Sequence, residues 1–266
     1  MTAREGGFGA TAAGTVADRY GLGRALALAG PVARGEQGEI WRLETEDGAW
    51  AVKRHFGPPD AAGTERAARY QEAARAAGVH VPAVVRTTSG DVLADVAGEP
   101  IRVFGWRDLA GRDPMVDPVA VGTVVAAIHR VRHDAGIPVD PWYHDPVGAG
   151  AWDDLVAALF TAGAPFSDEL AAYRPELVAL EGMLETPSRL QTCHRDLWAD
   201  NVLGTDDGLC VIDWENCGLA DPAQEFALVL FEFGMGNEER IRTIHDAYVD
   251  SGGPGRIDGR GTFSML

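Results

Sequence analysis

The chain has one lysine. Lys53 stands among twenty-two arginines, so a chain that uses guanidinium groups everywhere else has kept a single ammonium. Cysteine is also scarce. Cys193, Cys210 and Cys217 are an odd number at spacings that fit neither a disulfide framework nor a zinc site. Positive charge is outweighed, with 23 basic against 40 acidic residues and a formal net charge of -17. That balance argues against nucleic acid or an anionic membrane as a partner, because both would repel the chain. It suits a cationic small molecule, and it also serves solubility. No apolar run approaches the 18 or so residues a membrane span needs, and the stretch MTAREGGFGATAAG has no apolar signal core. The expectation is a cytoplasmic protein, monomer or homodimer. Its 266 residues are 46% hydrophobic, enough for one large domain or two lobes.

Residues 1–14 are rich in glycine, alanine and threonine and read as loose, with a short helix over Thr15–Tyr20. The pattern then turns to strands. RALALAGPVA reads as the first, and EIWRLETEDGAWAVKRHF as a hairpin turning at Asp47-Gly48. In its second strand Ala49, Ala51, Lys53 and His55 share one face; Trp50, Val52, Arg54 and Phe56 share the other. TERAARYQEAARAAG reads as a helix with Thr64 as N-cap and Gly78 as its stop. Three more strands follow in HVPAVVR, DVLADVAG and PIRVFGW. After Trp106 the chain turns helical. Val121, Val124, Val125, Ile128 and Val131 have helical spacing, and further helices are expected over 151–162, 168–184, 222–234 and 238–250. A β-like insert, RLQTCHRDLWADNVLGTDDGLCVIDW, lies among them. The reading is an α+β chain: an N-terminal lobe over 1–106 with an antiparallel sheet and one helix, a mainly helical lobe over 107–266, and a hinge near 106–109. The closing GRGTFSML ends on an apolar note, which suggests continuation into another helix.

The chemistry concentrates in CHRDLWADNVL and CVIDWENCGLADP. His194, Asp196 and Asn201 lie in a polar run between apolar strands. Asp213 comes twelve residues after Asn201. Two strands joined by a hairpin would set Asn201 and Asp213 at neighbouring strand ends. An amide oxygen beside a carboxylate suits Mg²⁺. Asp196, on the loop leading there, is placed to accept a hydroxyl proton. Cys193 and His194, adjacent on a strand, point to opposite faces and form no dyad. His194 and His129 read as structural, and Arg195 as pairing with nearby acids or facing solvent. Asp221 reads as an N-cap with Pro222 at N1 and Glu225 in the first turn. Phe226, Val229, Leu230 and Phe233 read as core.

HRDLWADN fits the pattern H-x-D-x-x-x-x-N. With IDWE and ADPAQEFA behind it, and with AVK, AAGVHVP and AAIHR upstream, the chain resembles the aminoglycoside phosphotransferase family and its choline- and sugar-kinase-like relatives. The resemblance implies a bilobal protein-kinase-like fold and transfer of the γ-phosphate of ATP, or of GTP, to a small-molecule hydroxyl with Mg²⁺. Asp196 would be the catalytic base, with Asn201 and Asp213 as metal ligands. Lys53 would hold the α/β-phosphates, anchored by a helix glutamate, Glu65 in preference to Glu72. Ala51 would line the adenine pocket, and Arg107–Leu109 would form the adenine-binding hinge. RGEQGEI, with Gly35 and Gly38, would be the loop over the phosphates, although it lacks the full G-x-G-x-x-G. In the family Asp221 also braces the catalytic loop.

The residues after Asp213 exclude a protein kinase. Asp221-Pro222 follows only eight positions after it, no A-P-E occurs, and Trp214-Glu215 replaces Phe-Gly. A nucleotide-binding module without catalysis is the rival of another class. The preferred acceptor is an aminoglycoside-like cationic antibiotic, which would make the protein a resistance enzyme. Asp200, Glu215, Trp152–Asp154 and Ser167–Glu169 supply acidic groups for it. A housekeeping amino alcohol or sugar is the alternative. Trp142, Tyr143 and Trp152 are candidates for an aromatic wall, or for core.

Overall fold

The computed structural model describes residues 8, 10–134, 136, 138–141, 145–184 and 189–263. They form two compact units. One comprises residues 1–113 with 200–216, and the other residues 114–199 with 217–266. Strands dominate the first and helices the second, so the fold is α+β.

In the first unit, helix α1 (Ala10–Tyr20) precedes strands β1 (Ala25–Arg34), β2 (Gly38–Thr45) and β3 (Gly48–His55). Helix α2 (Ala61–Ala76) and strands β4 (Val84–Val85), β5 (Ala94–Val96) and β6 (Glu99–Gly105) come next. The antiparallel sheet has the order β1-β2-β3-β6-β4, with β5 also on β6. Alternation sorts its two faces. Val52 pairs with Val103, and both are buried in a core with Val16, Ala17 and Tyr20 of α1. The next pair along, Lys53 and Arg102, faces the other way. Tyr20 fastens α1 to the sheet by donating its hydroxyl to the Ile101 carbonyl at 2.6 Å. Helix α1 therefore begins five residues before the expected Thr15. Its buried stripe is Ala12, Ala13, Val16, Ala17 and Tyr20, and alanine carries little apolar signal in a sequence.

Two local expectations shift. The hairpin pairs Thr45 with Gly48, so the free turn residues are Glu46 and Asp47. Helix α2 is capped by Asp60, whose carboxylate accepts from the Ala62 and Gly63 amides at 3.0 Å; Thr64 lies inside the first turn and is buried. Asp60 caps earlier because its carboxylate satisfies two of the orphan amides.

The β8 (Val202–Thr205) and β9 (Gly208–Val211) hairpin also belongs to the first unit. The second unit holds α3 (Pro118–His129), α4 (Ala149–Ala162), α5 (Ser167–Glu181), β7 (Gln191–Cys193), β10 (Gly218–Ala220), α6 (Pro222–Gly234) and α7 (Glu238–Asp250). Strands β7 and β10 pair antiparallel. No helix among the described residues is long and apolar enough to cross a membrane.

Candidate active site

Strand β3 carries Lys53 with Ala51 two residues before it, on the face away from α1. The Lys53 side chain is 13% exposed, and its ammonium donates to the Glu215 carboxylate. The Asp213 carboxylate lies 3.8 Å away. Directly across the ladder, Arg102 donates to the other oxygen of Glu215 at 2.6 Å. One carboxylate thus bridges two cations. Burial works to raise the Glu215 pKa, but Lys53 and Arg102 outweigh it and hold the group at about 2.

The hairpin sets the next two groups. Val202 pairs with Val211, and the Ile212 amide donates to the Asn201 carbonyl at 2.9 Å. Asn201 and Asp213 therefore leave neighbouring strand ends, as their spacing predicts. Asp213 adopts φ +58, the left-handed region that a non-glycine residue enters at a cost. A 3₁₀ turn, Trp214–Asn216, comes immediately after it and carries Glu215.

Glu65 does not meet Lys53. Arg86 takes it at 3.0 Å and takes Glu72 at 2.8 Å, while Arg69 adds a second contact to Glu65 at 2.7 Å. The planar fork of Arg86 has donors enough for both helix acids, and the lone ammonium is satisfied by Glu215. Gly35 and Gly38 close the β1–β2 turn, with the Gly35 amide donating to the Gly38 carbonyl at 2.9 Å. Gly38 has a structural reason for being glycine: a Cβ there would come within 2.4 Å of the Arg54 carbonyl oxygen. Segment 107–109 is exposed and pinned on both sides. The Trp106 amide donates to Ala49 at 3.1 Å and the Ala110 amide to Gly204 at 2.9 Å.

His55, two residues after Lys53, is 4% exposed. Burial, then the Lys53 cation, pushes its pKa from 6.5 to about 4. The unfolded chain takes up this proton near pH 6.5 and the native protein refuses it until about pH 4. The contribution is whole above pH 6.5 and is lost as pH falls toward 4. It amounts to about 3 kcal/mol, from 1.36 kcal/mol per unit. Melting temperature measured from pH 7.5 down to about 4.5 should fall more in the wild type than in His55→Asn. Parallel curves would show that His55 is not held neutral.

In the second unit, Asp196 is half-buried on the loop after β7. Glu225 of α6 braces that loop. Its carboxylate accepts from the amides of Arg195 and His194 (3.3 Å for the latter), and at 2.7 Å it meets His129 Nε2. His129 Nδ1 meets the Tyr248 hydroxyl at 2.7 Å. Further along, the Ala199 amide donates to Glu232 at 3.3 Å. Arg195 sits at φ +66, and Gly218 makes room for its guanidinium, since a Cβ there would lie 2.6 Å from Cζ. His194 is fully buried, consistent with a structural role. Cys193, His129 and Glu225 come close enough to suggest a metal cluster. Burial pushes the Cys193 thiol up, however, and both imidazole nitrogens are engaged, so the cluster reads as a hydrogen-bonded core. Asp221 caps α6 through the Ala223 amide at 2.8 Å. The loop amides of His194 and Arg195 are taken by Glu225, which the sequence showed only as a first-turn acid.

The acids expected to greet a cationic acceptor are partly engaged. Glu215 is committed to Lys53 and Arg102, Asp200 pairs with Arg112 at 3.1 Å, and Asp153 pairs with Arg174 at 2.9 Å. Trp152 donates to Glu181 at 3.0 Å. Trp142 and Tyr143 lie outside the described residues.

The chain is similar to known kinases and phosphotransferases. A thiamine kinase of Salmonella typhimurium is 40% identical over 74 residues, 28% of this chain and 24% of that protein. Viomycin phosphotransferase of Streptomyces vinaceus is 30% identical over 184 residues, 65% of this chain and 61% of that protein. The chain thus spans about a quarter and about three-fifths of these relatives' lengths. Among solved structures, a spectinomycin phosphotransferase in complex with ADP and spectinomycin superposes with a TM-score of 0.66 at 14% identity, covering 93% of this chain and 80% of that one. An aminoglycoside phosphotransferase from Alicyclobacillus acidocaldarius gives 0.59 at 18%, covering 83% and 74%. These likenesses show a shared protein-kinase-like fold. Residues 29–259 match APH, the phosphotransferase enzyme family, and with 231 of 266 residues inside that match the chain belongs to it.

Proposed function

We propose that this protein transfers the γ-phosphate of ATP, with GTP as the alternative donor, to a hydroxyl of a small cationic molecule. One observation carries the reading most. The chain's single ammonium stands 3.8 Å from Asp213, which together with Asn201 offers hard oxygen ligands at neighbouring strand ends. An amide oxygen and a carboxylate fit Mg²⁺, which keeps several waters and needs few protein ligands. Bound there, the metal ion supplies positive charge against the transferring phosphoryl group. Lys53 donates to the α/β-phosphates as a compact point charge. Ala51 and the backbone of 107–109 face the adenine, and the Gly35–Gly38 turn covers the phosphates. Asp196 accepts the proton of the acceptor hydroxyl and orients its oxygen. The 106–109 hinge leads out of the nucleotide-binding part, to which residues 200–216 return as members of the same compact unit.

The net charge of -17 supports a cationic acceptor, as do exposed acids such as Asp154, Asp168 and Glu169. The exposed Asp200–Arg112 pair is no obstacle, since exposed pairs contribute little and yield to a competing cation. ADP release should be measured with Mg-ATP and a panel of an aminoglycoside, viomycin, thiamine, choline and small sugars. At least one cationic member should raise release about tenfold or more over the acceptor-free rate, a barrier change of about 1.4 kcal/mol. Its kcat/KM should fall as salt rises to physiological strength, because screening weakens charge-driven capture. Turnover confined to neutral sugars with a flat salt profile would favour a metabolite kinase. ATP binding without turnover on any acceptor would favour a non-catalytic module.

A further inference from the structure

Lys53 and Arg102 oppose each other across β3 and β6. Like charges directly opposed on a sheet face destabilise it, and Arg102 is only 1% exposed. A carboxylate has to sit against both. The acids of α2 do not serve, because Arg86 holds Glu65 and Glu72 together. Glu215 does serve, with one oxygen for each cation. The turn that bears it is fixed from two sides. Trp214 is 2% exposed, its indole N–H donates to the Val211 carbonyl at 3.1 Å, and its ring meets Tyr70 of α2 edge-on with centroids 5.2 Å apart.

We propose that Glu215, held in place by Arg102, is the positioning residue that aims Lys53 at the nucleotide phosphates, in the role expected of a helix glutamate. The inference rests on the nucleotide-binding reading of Lys53. The metal-ligand candidate Asp213 and the anchor of the lysine then share one three-residue segment, Asp213-Trp214-Glu215. Lys53 is aimed by the segment that leaves the β8–β9 hairpin and by β6, so its placement does not wait on a carboxylate from α2.

The single lysine makes the test direct. Lysine labelled with ¹³C gives one ε-methylene cross-peak, observable without nucleotide or turnover. Glu215→Gln should shift that peak, Glu215→Asp should return it part of the way, and Glu65→Gln should leave it in place. Calorimetric titration with ATP should show Kd raised about tenfold or more in Glu215→Gln, the loss of one charge-assisted contact, and partly restored in Glu215→Asp. It should change by less than about twofold in Glu65→Gln, since Glu65 pairs with Arg86 and Arg69 rather than with Lys53. If Glu215→Gln fails to fold because Arg102 is left uncompensated, the double variant Arg102→Gln/Glu215→Gln removes both charges and poses the same question to the lysine. A peak that moves with Glu65→Gln and ignores Glu215→Gln would overturn the assignment. A wild type that binds no ATP would overturn the nucleotide reading and the role with it, while the lysine peak would still report which acid holds the amine.

Discussion

Replacing Asp196 by alanine should lower kcat by about a hundredfold or more while ATP affinity stays within about twofold. In the proposed mechanism the base acts on the acceptor hydroxyl, whereas Lys53, Asn201 and Asp213, the groups proposed to face the nucleotide, all belong to the other compact unit. The size of the effect comes from how the loop is held. Glu225 takes the amides of His194 and Arg195, Glu232 takes that of Ala199, and Leu197 and Ala199 are fully buried. Arg195 is kept at φ +66 between them. A carboxylate on a loop fixed at both ends has paid its ordering cost before the acceptor arrives, and that is where much of the rate gain from positioning lies. Steady-state kinetics with the best acceptor, paired with an equilibrium ATP titration, checks both halves. Wild-type turnover in Asp196→Ala would remove Asp196 from the chemistry. An equal loss of ATP affinity would mean that it serves the nucleotide instead.

Regular spacing made much of the architecture legible. Helices α6 and α7 run over 222–234 and 238–250 as the sequence predicts, because proline at N1 after Asp221 and the apolar period of Phe226, Val229, Leu230 and Phe233 act locally. The Asn201–Asp213 neighbourhood was legible for the same reason, since a short hairpin fixes its own register. Ion pairing was harder. Which carboxylate meets Lys53 depends on Arg86, just past β4, competing for Glu65 and Glu72 of α2, and on strand register setting Arg102 opposite Lys53 over long sequence separation. Arg102 itself gave one signal that could have been read: a lone arginine inside the apolar run PIRVFG, a position where burial demands a partner. Glu225 gave a weaker one. A first-turn acid is ordinary in a helix, and nothing local says that its carboxylate is buried against the loop of another strand.

The claim on which the rest depends is that the only lysine of the chain is a nucleotide-phosphate ligand. Its side chain is 13% exposed, and the facing guanidinium of Arg102 already occupies the interior beside it. A second planar fork gives no single point donor, so Lys53→Arg should lose most activity despite keeping the charge. The direct measurement is acylation of the native protein at alkaline pH, read by peptide mass spectrometry with and without Mg-ATP. Only Lys53 and the α-amino group offer amines, so each serves as control for the other. Phosphates over the amine would cover it and keep it protonated, and acylation needs the free base. Mg-ATP should therefore slow labelling of Lys53 severalfold or more, leave the α-amine unchanged, and protect activity in step with Lys53. Equal labelling of Lys53 in both samples would show that this lysine is no part of a nucleotide site.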